Sequence, residues 1–333
     1  MKSISQTKLL LVTTALVLCC FVVALHTGAM SINVGKGIGD ALAGVTSIDQ
    51  MILWDIRLPR ALLALLIGAT LGLAGAALQG LLRNPLAEPG IIGVSNGAAL
   101  GAVIVFYFGL SNLVWFMLPL GGLLGALLAV LVIFALTGRH SSTLTLILAG
   151  IAINAIGGAL IALALNLAPS PYAMQEIVFW LLGSVSNRSM NHVWIALPFM
   201  LLGWLMILSC GRFLNALTLG EETATSLGFD VQRQRWLLVL GVAAAVGAAV
   251  SVSGNIGFVG LVVPHLVRPL VGHEPRRLLL PCALVGAALL LGADMASQLL
   301  SRGGEMKLGV ITSLIGGPFF LYLILRTRNG VAQ

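Results

Sequence analysis

The sequence predicts an all-α membrane protein, a polytopic bundle of about ten transmembrane helices forming one domain over residues 1–333. Three observations carry this reading. Hydrophobic residues make up 59% of the chain and charged residues 9%, whereas soluble domains carry about 25% charge. So few charges cannot cover a water-exposed surface. The apolar residues fall in long unbroken runs, such as 61–82 and 278–295, each close to the ~20 residues a helix needs to cross a bilayer. The runs lack the apolar–polar alternation that barrel strands keep over about 10 residues. Of the two backbone arrangements that hydrocarbon tolerates, helices are therefore selected.

The ten expected spans are 9–25, 61–82, 92–110, 115–136, 144–167, 193–209, 236–252, 257–271, 278–298 and 310–325. The first follows Lys2 and Lys8 and resembles a signal peptide. It lacks a small-x-small cleavage site, and Leu18 precedes Cys19, so it is read as a retained span. The eighth is short and contains Pro264 and Pro269, which predicts a broken helix. Placing the N-terminus inside puts 12 Lys and Arg residues on the cytoplasmic side against 6 outside, as the positive-inside rule expects. Both termini are then cytoplasmic. The net charge of +7 becomes a property of the inner face and requires no nucleic-acid partner. Cys19, Cys20, Cys210 and Cys282 lie in apolar runs without metal-ligand spacing, and the histidines are scattered. No metal or other cofactor is expected on this chain.

Glycine is abundant, at 40 residues. Gly68, Gly72 and Gly75 share one helical stripe, Gly121 and Gly125 another, and Gly150, Gly157 and Gly158 cluster around Asn154. Such stripes let helices approach closely where lipid supplies no hydrophobic drive. Residues 75–85 (GAALQGLLRNP) and 254–264 (GNIGFVGLVVP) echo one another, as the internal repeats of transporters do.

Four polar features stand out. In 83–99 (RNPLAEPGIIGVSNGAA), Pro85 and Pro89 forbid a continuous helix, so the segment is a membrane-edge turn into the third span. Ser95 and Asn96 near the start of that span, with Asn154 and Asn166 of the fifth, either line a pathway or make packing hydrogen bonds. The glycines lack the Lys-Ser/Thr ending of a P-loop, so the chain is not expected to hydrolyse ATP. Residues 212–235 form the longest polar stretch on the cytoplasmic side, divided by Gly220 and Gly228 into two short helical pieces. Its apolar Leu217, Leu219, Ala224 and Leu227 among charged Glu221, Glu222, Asp230, Arg233 and Arg235 fit either a solvated loop or a helix pair that enters a partner's groove. Arg57 and Arg60 lie at the outer edge of the second span, where arginines commonly snorkel to lipid headgroups. Asp294 is an acid within the ninth span, suited to a structural ion pair or to a proton relay.

Residues 56–99 (IRLPRALLALLIGATLGLAGAALQGLLRNPLAEPGIIGVSNGAA) resemble the signature stretch of the FecCD-type permeases. These are the membrane subunits of type II ABC importers for iron–siderophores, haem and vitamin B12. The resemblance continues in order through 146–155 (LILAGIAINA), 179–185 (FWLLGSV), 217–228 (LTLGEETATSLG), 257–272 (GFVGLVVPHLVRPLVG) and 279–294 (LLPCALVGAALLLGAD). It implies an importer of an iron chelate, haem or corrinoid across a bacterial inner membrane. Its implied partners are two ATPase subunits that use the ATP, a second permease copy or paralogue, and a periplasmic or lipid-anchored binding protein. It also implies that Leu217, Gly220, Glu221, Ala224, Leu227 and Gly228 belong to coupling helices docked on the ATPases, and that Arg57 and Arg60 receive acidic residues of the binding protein. The further docking arginine of the B12-type permease is replaced here by Gln298, and Arg302 lies about one helical turn later. The turn at 305–309 reads EMKLG, which departs from the family's usual Glu-Leu-Pro pattern. The rival expectation is an ion- or proton-coupled secondary transporter, for which Asp294 would have to act as coupling acid.

Overall fold

A computed structural model describes residues 5–138, 143–300 and 306–331, and those outside turns and connections are helical. The helices are α1 (Gln6–His26), α2 (Val34–Leu42), α3 (Ile48–Met51), α4 (Leu58–Leu82), α5 (Val94–Tyr107), α6 (Met117–Thr137), α7 (Thr143–Asn166) and α8 (Pro171–Leu181). They continue with α9 (Met190–Ser209), α10 (Gly211–Leu217), α11 (Glu221–Ser226), α12 (Val231–Ser253), α13 (Val259–Val267), α14 (Pro275–Leu300) and α15 (Leu308–Val331). Among the described residues, seven helices are long and apolar enough to cross a bilayer, and shorter apolar helices at Val94–Tyr107, Val259–Leu270 and Leu308–Leu323 fall on the third, eighth and tenth expected spans. Helices α2 and α8 were not anticipated. At 9 and 11 residues they are too short for a hydropathy window, although Ser170 capping a Pro171 start is a legible signal for α8.

Helices α4 and α12 form the centre, and 78% of the most apolar stretch of α12 is buried. Buried residues make up 89% of the most apolar stretch of the Ile48–Leu82 segment, against 22–28% in α1, α6, α7 and α9. The latter four surround the core and turn their leucines outward, as lipid-facing helices must. The glycine stripe explains the position of α4. A Cβ on Gly72 would fall onto the Cys282 carbonyl of α14, and one on Gly75 onto the Gly260 carbonyl of α13, both far inside van der Waals contact. Gly101 and Gly121 oppose each other in the same way between α5 and α6. Backbone meets backbone at these crossings, which is how apolar helices associate in lipid.

Prolines set the irregularities. Pro59 has no N–H, and its ring crowds the carbonyl four residues back. The turn just before it, Ile52–Arg57, widens to a π-helix. The expected break of the eighth span is observed: α13 holds nine residues, then passes into a 3₁₀ turn at Arg268–Leu270 beside Pro269. It opens on Phe258 in the left-handed region, with φ 68°, a conformation costing a non-glycine residue roughly 1–2 kcal/mol.

Candidate functional site

The bundle has two ends and a polar cavity between them. At the first end α4 begins, and here Arg57 and Arg60 are used inside the fold. Arg57 is buried and donates to the carbonyls of Leu25, at 2.7 Å, and Met30, tying the end of α1 to the π-turn. Arg60 grips Asp294 of α14 through Nε and Nη2 at 2.9 Å each, with the Asp294 side chain only 4% exposed. Gln298 Nε2 donates at 2.9 Å to Asp294 Oδ2, the oxygen that also accepts from Arg60 Nε. Asp294 is thus the partner of a buried ion pair, and Gln298 adds a further hydrogen bond to it. Neither guanidinium extends from the surface in this conformation. Arg302 lies outside the described residues.

The opposite end carries α10 and α11. Gly220 (φ 109°) and Gly228 (φ 87°) bracket α11, both in a region L side chains rarely adopt, so glycine is required at each turn. Leu217 and Ala224 face inward and are buried, whereas Leu219 and Leu227 are 67% and 59% exposed. Glu221 binds Arg235 of α12 at 2.8 Å, and the Arg235 side chain is only 1% exposed. Glu221 therefore anchors α11 to the bundle, and Leu219 and Leu227 present exposed apolar surface on either side of it. Asn215 ties α10 to the α13–α14 connection. Its amide donates to Glu274 Oε1 at 2.8 Å while its Oδ1 accepts from the Arg276 N–H at 2.8 Å. Neither Asn215 nor Glu274 carried a distinguishing signal in the sequence.

Ser95, Asn96 and Asn154 line one cavity of about 240 Å³, together with Glu88, Asn255, Gly257 and Phe258. Asn96 donates to the Asn154 carbonyl at 3.2 Å, joining α5 to α7. Asn166 does not line this cavity; it sits exposed at the end of α7. Glu88 lies in the connection between α4 and α5, outside both helices. Burial raises its carboxyl pKa, and the Phe258 backbone amide pulls the other way. Glu88, Asn255 and Phe258 also line a neighbouring opening of about 550 Å³ that reaches Gly309 and Ser313 of α15. The Phe258 side chain fits against α15 only because Gly316 has no Cβ. Glu88 and Asn255 escaped the sequence reading because both stand in connections, where a polar residue is unremarkable until the loops fold back between the helices.

The FecCD transport family model matches residues 16–326. The chain belongs to this family. It is 42% identical over 300 residues to the ABC transporter permease protein YvrB of Bacillus subtilis, covering 89% of this chain and 84% of that one. It is 41% identical to the vitamin B12 import permease BtuC of Vibrio cholerae (85% and 86% covered) and to the hemin transport permease HmuU of Yersinia pestis (88% and 92% covered). A metal-chelate type ABC transporter solved in an inward-facing conformation superposes with a TM-score of 0.86 at 33% identity, covering 96% of this chain and 99% of that one. The family member is therefore an ABC transporter permease with the family's helical fold.

Proposed function

We propose that two copies of this permease, or one copy and a paralogue, carry a bulky iron chelate, haem or corrinoid inward across a bacterial inner membrane, both termini lying in the cytoplasm. A separate binding protein delivers the ligand at the Arg57 end, and two separate ATPase subunits supply the energy at the α10–α11 end. B12, hemin and metal-chelate transporters among its relatives support that cargo class.

The observation that carries the reading is the construction of the α10–α11 end: two short helices that expose Leu219 and Leu227 and are fastened to the bundle through buried Arg235 and through Asn215. A load on Leu227 is borne by α11 and passes through Glu221 to α12. A load on α10 passes to α4, since the Leu214 side chain abuts Gly80. Helix α4 in turn holds α13 at the Gly75–Gly260 crossing, and Gln79 bridges the Gly260 carbonyl and Arg268. Phe258 and Gly257, at the start of α13, line the cavity. Displacement of the docking end would therefore reshape the polar cavity, which is what an alternating pathway requires. The ion-driven alternative is weakened because its expected coupling acid, Asp294, is held by Arg60.

Replacing exposed Leu227 by aspartate tests the docking surface. An anchor residue in a desolvated groove contributes about 2 kcal/mol or more, roughly a 30-fold change in affinity. The expected result is ATPase subunits that dissociate from the purified complex and uptake that falls in parallel, with membrane insertion intact. Unchanged ATPase binding would reject the surface. Asn215→Ala should separate the two functions: assembly persists, while the uptake obtained per ATP hydrolysed falls several-fold, measured in proteoliposomes.

A further inference from the structure

Among the described cations at the Arg57 end, Arg188 is the one with neither a carboxylate, a carbonyl nor an aromatic ring as partner among the described residues. Lys36 is 3.8 Å from Asp49, Arg57 is satisfied by two carbonyls, Arg60 holds Asp294, and Lys307 lies over the Phe179 ring at 5.7 Å. Arg188, in the connection between α8 and α9, has an Nε that is closed off from solvent and has no hydrogen-bond partner. Burial pulls its pKa down, yet a guanidinium does not lose its proton in proteins. A partly buried cation without a partner is costly, and an oxyanion bound across its planar fork offsets that cost.

The surroundings indicate which oxyanion. Arg188 is within electrostatic reach of His192 on the first turn of α9, and the His192 ring stacks edge-on with Trp115 at 6.3 Å. Trp115 and nearby Trp194 are 51% and 62% exposed, the placement of aromatic side chains at a membrane–water interface. Below them runs an apolar groove of about 340 Å³, lined by Leu123, Leu124 and Leu127 of α6, Phe199 and Met206 of α9, and Leu240 of α12. From His192 to Met206 α9 descends about 21 Å, more than half the ~30 Å hydrocarbon core. The groove is open to the outside of the bundle, since its lining residues Leu124, Leu127 and Phe199 are all exposed. A soluble partner could reach the cation but not the groove; a molecule with an anionic head and a long apolar chain fits both.

We infer that Arg188 and the α6–α9–α12 groove form a phospholipid site, with the phosphate at Arg188 beside His192 and one acyl chain laid along Leu124 and Phe199. The site is separate from the pathway and does not depend on which side of the membrane the Arg57 end faces.

The test uses the assembled transporter, delipidated in detergent and titrated with dioleoyl phosphatidylglycerol, with bound lipid read by native mass spectrometry. The expected result is one retained lipid per permease copy, binding at least tenfold weaker in Arg188→Gln and in the groove-filling Leu124→Trp, and partly restored in Arg188→Lys. Dioleoylglycerol, which has no phosphate, and inorganic phosphate, which has no chain, should each compete poorly. Equal lipid retention by the wild type and both weakened variants would overturn the inference. So would competition by inorganic phosphate as effective as by the whole lipid, which would indicate a simple anion site. Loss of binding-protein affinity in Arg188→Gln with lipid retention unchanged would also overturn it and reassign the cation to protein docking. Because Leu124 is 56% exposed, the groove variant is readable even if Arg188→Gln fails to fold.

Discussion

Asp294→Ala is expected to be the most damaging single substitution at the Arg57 end, lowering stability by about 3–5 kcal/mol. The truncation leaves Arg60, whose side chain is 16% exposed, as an uncompensated charge among apolar helices. It also removes the acceptor for Gln298. The measurement is the thermal unfolding midpoint and folded yield of the detergent-solubilised protein. A second variant gives the result its meaning. Replacing the pair together, Arg60→Met with Asp294→Leu, should recover most of the lost stability, because apolar residues of similar volume can substitute for a buried ion pair with little loss. If Arg60 also receives a carboxylate from the binding protein, the recovered double variant will be stable and inserted but will bind that protein weakly. If the double variant is as unstable as Asp294→Ala, the pair has a structural role that apolar packing cannot replace.

Gly75→Val is expected to be comparably severe, for a different reason. The α4–α13 crossing brings Gly75 against the Gly260 backbone, so the added side chain must displace a main chain rather than a flexible side chain. Overpacking of this kind costs roughly 1–3 kcal/mol where a core can relax, and a backbone-on-backbone crossing has less freedom to do so. Because α13 delivers Phe258 and Gly257 to the cavity, uptake should fall further than folded yield. Gly292 on α14 is the internal control: a Cβ there meets nothing within 4 Å. Gly292→Ala should therefore be neutral or stabilise by up to about 1 kcal/mol, the helix-propensity gain of alanine over glycine. Size-exclusion profiles and melting curves of the two variants make the comparison. Equal behaviour would show that the α4–α13 crossing is looser than its geometry indicates.

Much of this architecture is legible in the sequence because bilayer physics is simple. Seven of the ten expected spans fall on described helices long and apolar enough to cross a bilayer and the other three on shorter apolar helices, and Gly68, Gly72 and Gly75 announce a close-packed face without naming its partners. The partners, Gly286, Cys282 and Gly260, are more than 180 residues away in the chain, and no local pattern encodes such a pairing. The end of α13 is equally readable, since Pro269 acts locally, whereas Pro264 is accommodated inside the helix. The polar residues are harder, because a charged side chain in a sequence has no direction. Arg57 and Arg60 stand where an outward-reaching cation would stand, and only the fold shows Arg57 turned to the carbonyls of Leu25 and Met30 and Arg60 turned to Asp294. Glu221 follows the same logic. It reads as part of an exposed charged helix, and the structure spends it on Arg235, with neighbouring Leu219 and Leu227 exposed. Among the pathway candidates, Ser95, Asn96 and Asn154 meet in one cavity, whereas Asn166, twelve residues after Asn154 on the same helix, lies outside it.

The central claim is that this permease moves cargo only when a separate nucleotide-hydrolysing subunit acts on the α10–α11 end. Uptake of a labelled iron chelate, haem or corrinoid by proteoliposomes, with the matching binding protein and with ATPase subunits present or omitted, tests it most directly. The account predicts uptake that needs both the ATPase subunits and ATP and that survives ionophores collapsing every ion gradient. Uptake that proceeds without those subunits and stops when the gradients collapse would contradict it.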